Sequence, residues 1–290
     1  MSSFDTFISQ AWRDHAENSD AVAARLPEAL SLLEKPEQVA PLARLIVHVE
    51  GEHLGRWQEG LELLSRVKES PHSSGPEAEA ALRRGSATLT ACERGSLPAE
   101  GLSASDKARC LAAAAAALSA RGQGERAEAF FRSALQAAAK LPKDDPAQRD
   151  LAVTSNNMAS ILEEKADRAF RDTELMLMAA HAARRHWELA GTWLEVERAE
   201  YRLALSFLAA KKPGDARRHA ELCLEIAAAN NAGPLELFFG QEALALSFHA
   251  SGDSQGFTNA RGRARDLFAR LPAEEKPWCL PSLEKLEALA

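Results

Sequence analysis

The pentapeptide Leu203-Ala204-Leu205-Ser206-Phe207 recurs unchanged as Leu244-Ala245-Leu246-Ser247-Phe248, 41 residues later. Each copy runs into a turn signal, Pro213-Gly214-Asp215 after the first and Gly252-Asp253 after the second, and then into a second amphipathic segment. One hairpin of two helices cannot bury its apolar face alone. Repetition at a fixed period lets each hairpin bury that face against its neighbours, so the spacing predicts a stacked array of helical hairpins.

The rest of the chain agrees. Ala, Leu, Glu and Arg dominate, residues that lose little side-chain freedom in a helix. There is a single tyrosine in 290 residues, and alternating β-branched runs are missing. An all-α fold follows. A solenoid grows along one axis, so residues 1–290 are expected to form a single helical-repeat domain.

Breakers place the helices. A first pair is predicted over about 3–34, broken near Asn18-Ser19-Asp20, with Asp20 as a cap for the second helix. Pro36 and Pro41 mark the next entry, and a helix through Leu45, Val49 and Glu52 ends at Gly55. Trp57, Leu61, Leu64 and Val67 then repeat at helical spacing. Residues 70–105 read as irregular around one helix at about 77–93, because Pro71, Gly75-Pro76 and Gly95-Ser96-Leu97-Pro98 interrupt them. Regular helices are predicted near 104–121, 124–140, 146–165, 169–190, 192–210, 214–230, 233–250 and 255–270. A short helix at about 279–289 serves to cap the open end.

These features resemble the tetratricopeptide repeat family. That family sets a Gly between two helices, a large residue two later, and small residues five and twelve later. Gly55, Trp57, Gly60 and Val67 approximate the pattern, and Gly122, Ala127 and Ala134 match it. Ala115, Ala159, Ala204 and Ala245 lie where the family places a small residue at a helix contact. The strongest units recur every 40–46 residues rather than the family's 34, which longer helices would explain. Thr154 to Leu162, with Asn156-Asn157-Met158-Ala159, is similar to repeats of kinesin-light-chain type. The resemblance implies an α-α superhelix whose first helices line a concave binding groove.

Aligned on those alanines, the groove-facing positions are Arg109, Asn156, Asn157, Arg198, Tyr201 and Arg202, with Ala112, Ala113, Phe239 and Glu242 beside them. Arg198 and Arg202 stand one helical turn apart, and their forked donors suit a carboxylate. Asn157 falls where groove asparagines of the family bond a ligand's backbone or terminal carboxylate, and the alanines of 112–117 would leave room for a peptide. Competing partners for the arginines are Glu195, Glu197 and Glu200 on the same helix.

The formal net charge of -7 disfavours nucleic acid as a partner. No apolar run approaches the roughly 20 residues that span a membrane, and the N-terminus has no secretory character. A cytoplasmic location is expected. Cys92, Cys110, Cys223 and Cys279 are scattered, which suits buried thiols rather than a metal knuckle or disulfides. His48 and His53 are five apart, as are His181 and His186. On an α-helix that spacing turns them roughly 140° from each other, so neither pair is expected to bind metal. No nucleotide-binding, nucleophile-elbow or metalloprotease motif occurs.

The reading is therefore a non-enzymatic scaffold without cofactors. It binds a protein or peptide, with preference for an acidic segment or a free C-terminal carboxylate. The alternative is a regulatory or sensor module that takes a small molecule or signalling peptide and acts on a partner such as a transcription factor. Ala-rich outer faces are compatible with a homodimer.

Overall fold

The computed structural model describes residues 2–289, which hold fourteen α-helices and no strand. The chain divides into two compact units, residues 1–147 and 148–290.

The first unit opens with α1 (Ser3–Asp14) and α2 (Ser19–Ser31). Ser2 caps α1 by accepting from the Asp5 amide, while Asp5 reaches back to the Ser2 amide. Asp20 does not cap α2; its carboxylate takes a hydrogen bond from Arg56 instead. Next comes α3 (Val39–Ile46), which runs without a break into a π-helical segment, Val47–Leu54. After it come α4 (Trp57–Lys68), α5 (Pro76–Arg94), α6 (Ala104–Ala120) and α7 (Gly124–Ala138). The helix α5, alone in its irregular stretch, packs on α3, α4 and α6 and belongs fully to the core.

The second unit holds α8 (Pro146–Glu164, whose first two residues precede the division), α9 (Phe170–Ala190), α10 (Trp193–Ala209), α11 (Pro213–Ala229), α12 (Pro234–Ser251), α13 (Ser254–Arg270) and α14 (Lys276–Ala288). Consecutive helices pack in pairs, α9 on α10, α10 on α11, α11 on α12 and α12 on α13. The helices α10 to α13 are 17 or 18 residues long. Two such helices and their turns give the 41-residue period. The last helix, α14, lies against α12 and α13 and covers the end of the stack.

The turns explain the punctuation. Gly122 and Gly252 close their helices at φ +72° and +78°, a left-handed conformation that glycine adopts without strain. In the repeat between them Lys211 holds the same conformation, at φ 59°. Small residues set the helix separations: Ala115, Ala159, Ala204 and Ala245 are all fully buried. Ala204 packs in one cluster with Ala220, Phe238, Ala243 and Ala245. Interiors at that density have no room for three extra carbons. Ala204→Leu is therefore expected to destabilise the protein by about 1–3 kcal/mol through overpacking, read as a shift in urea midpoint. An unshifted midpoint would mean that the helix contact is slack.

Candidate functional site

In the second unit the first helices of successive pairs, α8, α10 and α12, form one row. Side chains of α10 bridge it in both directions. Toward α12, the Tyr201 hydroxyl donates to Glu242 at 2.7 Å, its ring meets Phe239 edge-on at 5.5 Å, and Arg198 pairs with Glu236 at 3.1 Å. Toward α8, Arg202 and the Ser206 hydroxyl both donate to the Glu163 carboxylate, at 2.5 Å each. Arg198, Tyr201 and Arg202 thus lie along this row, with Phe239 and Glu242 on the neighbouring helix.

Their charges are spent differently. Arg202 is four-fifths covered and Glu163 nine-tenths, whereas the Arg198 side chain keeps 60% of its exposure. Asn156 is half-buried and Asn157 exposed, with Ile161 exposed one turn further along α8. No hydrogen bond engages either asparagine side chain among the described residues.

The competing same-helix partners of the arginines are occupied elsewhere. Glu195 closes a capping box on Thr192. Glu200 is buried and receives Arg184 at 2.6 Å and His219 at 2.7 Å, contacts that hold its carboxyl below the ordinary range against the opposing effect of burial. Glu197 is 1% exposed and accepts from the Cys223 thiol at 2.8 Å; burial pushes its carboxyl up to about 7. Glu242 and Glu163 are raised too, again mainly by burial. A signal for this existed in the sequence. Glu200, Leu203, Ala204 and Phe207 share one stripe at helical spacing, and a carboxylate on an apolar stripe is a buried one.

In the first unit, Arg109 stands 3.6 Å from Asp106, which also binds Arg84 at 3.0 Å. The alanines of α6 do not open a space for a peptide. Ala112 and Ala114 to Ala117 are buried, and α6 packs on α5, α7 and the π-helical segment.

The expected separation of His48 and His53 is overturned. The segment carrying them is π-helical, and its i→i+5 bonding brings every fifth residue back onto one face. Their Nε2 atoms are 3.1 Å apart. Leu89 of α5 presses so close to Gly51 and Gly60 that a Cβ on either would meet it at 2.7 Å. The Trp57 indole then donates to the Gly51 carbonyl at 3.2 Å. His15, just past α1, completes a group of three imidazoles whose ligating atoms all lie within 4.8 Å of one another. Trp12 lies against His15 and His48, each ring 5.1 Å away. Nothing in the sequence joins His15 to this pair, because only the packing of α1 on α3 does so. His181 and His186, on an ordinary α-helix, go separate ways: His181 to Phe207 and His219, His186 to Gln148.

All four cysteines are buried. Burial raises the Cys92 thiol to about 12 and those of Cys110 and Cys279 to about 11, so none of these is a thiolate near neutrality. No helix among the described residues is long and apolar enough to cross a membrane.

No protein-family model matches the chain, and no curated protein matches it by sequence. Among solved structures it is similar to BtubC (BKLC) from P. vanneervenii, a kinesin light chain-like protein of tetratricopeptide type. The TM-score is 0.50, at 17% sequence identity, over 93% of this chain and 92% of that one. At that identity the likeness is one of fold: this chain has a tetratricopeptide-like helical-repeat architecture.

Proposed function

We propose that this protein is a non-catalytic scaffold that holds an extended peptide along the α8–α10–α12 row. The observation behind the proposal is a contrast within that row. Most of its polar side chains are tied to one another, but Asn156 and Asn157 have no side-chain hydrogen-bond partner among the described residues, beside an exposed Ile161. An asparagine amide offers both a donor and an acceptor to a peptide backbone, and Ile161 adds an apolar contact. Preference for an acidic residue or a terminal carboxylate then falls on Arg198. The Glu236 side chain that pairs with it keeps only 14% of its exposure, but the arginine keeps 60%, so a ligand carboxylate can reach the guanidinium from solvent. Arg202, held by Glu163, is not open to such exchange, and Arg109 is left out of the proposal.

A display library of 12-residue peptides, panned on the purified chain, tests the proposal. Selected peptides are expected to bind at least tenfold more weakly to Asn157→Ala. Arg198→Ala should weaken acidic or free-carboxylate peptides and leave amidated neutral ones unchanged. Peptides that bind both variants as well as wild type would remove the row as the site.

A further inference from the structure

We infer that His15, His48 and His53 form a binding site for a divalent transition-metal ion of the zinc class, with one coordination position left open. Three imidazoles on one ion with a fourth position free is an established arrangement for zinc, and imidazole also suits copper and nickel. Two nitrogens on a tetrahedral zinc stand roughly 3.3 Å apart, given Zn–N bonds of about 2.0–2.1 Å. His48 and His53 already meet at 3.1 Å, and the whole group spans no more than 4.8 Å, so small ring rotations complete the geometry.

The surroundings have the form of a metal site's outer layer. His48 Nδ1–H donates to the Glu52 carboxylate at 2.8 Å. His15 Nδ1–H donates to the Trp12 carbonyl at 2.8 Å. A carboxylate or carbonyl on one ring nitrogen fixes the tautomer and turns the lone pair of the other toward the ion. Both histidines therefore present Nε2 inward, where a metal takes the place of the proton His53 Nε2 otherwise shares with His48. Without a metal, three imidazoles packed against each other gain little. With one, the end of α1 is stapled to the π-helical segment. Helical spacing alone does not produce this cluster: the π-helix is needed to aim His48 and His53 together, and π-helical turns concentrate at functional sites.

Chelator-treated, full-length protein is titrated with Zn2+ against a chromophoric chelator, and separately with Co2+. The expected result is one strong site per chain, with Co2+ giving the visible absorption of a four-coordinate ion. His48→Ala and His53→Ala should each weaken Zn2+ at least 100-fold. Glu52→Gln should weaken it by about 10–100-fold, and His249→Ala, on α12, should change nothing. If a histidine variant does not fold, X-ray absorption of the zinc-loaded wild type still decides, since three imidazole shells are required. No binding at 100 µM Zn2+, binding that survives His48→Ala and His53→Ala, or an oxygen-only coordination shell would overturn the site.

Discussion

Glu197→Gln should stabilise the protein by about 3 kcal/mol at pH 8 and leave it nearly unchanged at pH 4. Glu197 lies 1% exposed on α10, and burial is the main reason its carboxyl rises from 4.5 to about 7. The groups facing it are few. Cys223 on α11 donates to it and Arg198 on its own helix attracts it, both lowering the value, while Glu236 on α12 raises it. Below pH 4.5 the carboxyl is neutral in both folded and unfolded chains. Between 4.5 and 7 the unfolded chain releases the proton and the folded chain keeps it, so stability falls as pH rises. A tenfold difference in proton affinity between the two states is worth about 1.4 kcal/mol. Glutamine keeps the shape and the acceptor for Cys223 and has no proton to lose, so the variant escapes the penalty. Urea unfolding of both proteins at pH 4 and pH 8 measures it. An equal difference at the two pH values would mean that Glu197 is not held neutral by burial.

In the unmodified chain His186 opposes this slope. His186 is buried on α9, donates Nδ1–H to Gln148 at 2.7 Å, and is pushed by burial from 6.5 to about 4. Its folded form excludes the proton that the unfolded form takes up below 6.5, so its contribution falls as pH drops from 6.5 to 4. Over 4.5–6.5 the two groups pull stability in opposite directions by similar amounts. Glu197→Gln removes one side of that opposition, so over this window the stability of the variant should rise more with pH than that of the unmodified chain.

Helix positions are legible in the sequence because their causes are local. The predicted entries and ends from residue 104 onward fall within two or three residues of the observed ones, since Pro146, Pro213, Pro234, Gly122 and Gly252 act on the backbone where they stand. The buried alanines are legible because the repeat aligns them. Two other things are not. A hydrophobic pattern read at 3.6 residues per turn contains no provision for a π-helix and sends His48 and His53 to opposite faces, whereas the π-helical segment Val47–Leu54 brings them together. The partners of the arginines are also hidden. Same-helix glutamates are nearest in sequence, but in a stacked array the nearest carboxylate in space belongs to the adjacent unit: Glu163 lies 39 residues before Arg202, and Glu236 lies 38 after Arg198. Those separations approximate the repeat length itself. A repeat protein therefore favours searching one period away before searching one turn away.

Arg202→Ala should destabilise the protein by about 3 kcal/mol at pH 8, and by clearly less at pH 5. The Arg202 and Glu163 side chains keep 20% and 10% of their exposure, and the Ser206 hydroxyl fills the other oxygen of the carboxylate. Removing the guanidinium leaves a buried charge with one neutral donor. That loss is larger than the net value of the intact pair, because desolvation opposes the attraction: the Glu163 carboxyl stays raised despite the arginine, and Arg202 Nε is buried without a partner. Acid relieves the variant, since a protonated Glu163 needs no cation. The double replacement Arg202→Met with Glu163→Leu should accordingly recover most of the loss, and a double-mutant cycle separates the coupling from the packing. Were Arg202→Ala to cost less than about 0.5 kcal/mol at pH 8, within the range of an exposed pair, the guanidinium would be free of Glu163 in solution, and Arg202 would rejoin Arg198 as a receptor for a ligand carboxylate. A loss near 3 kcal/mol, as expected for a broken buried pair, instead makes Arg202 the tie between α8 and α10 and leaves ligand recognition to the asparagines and Arg198.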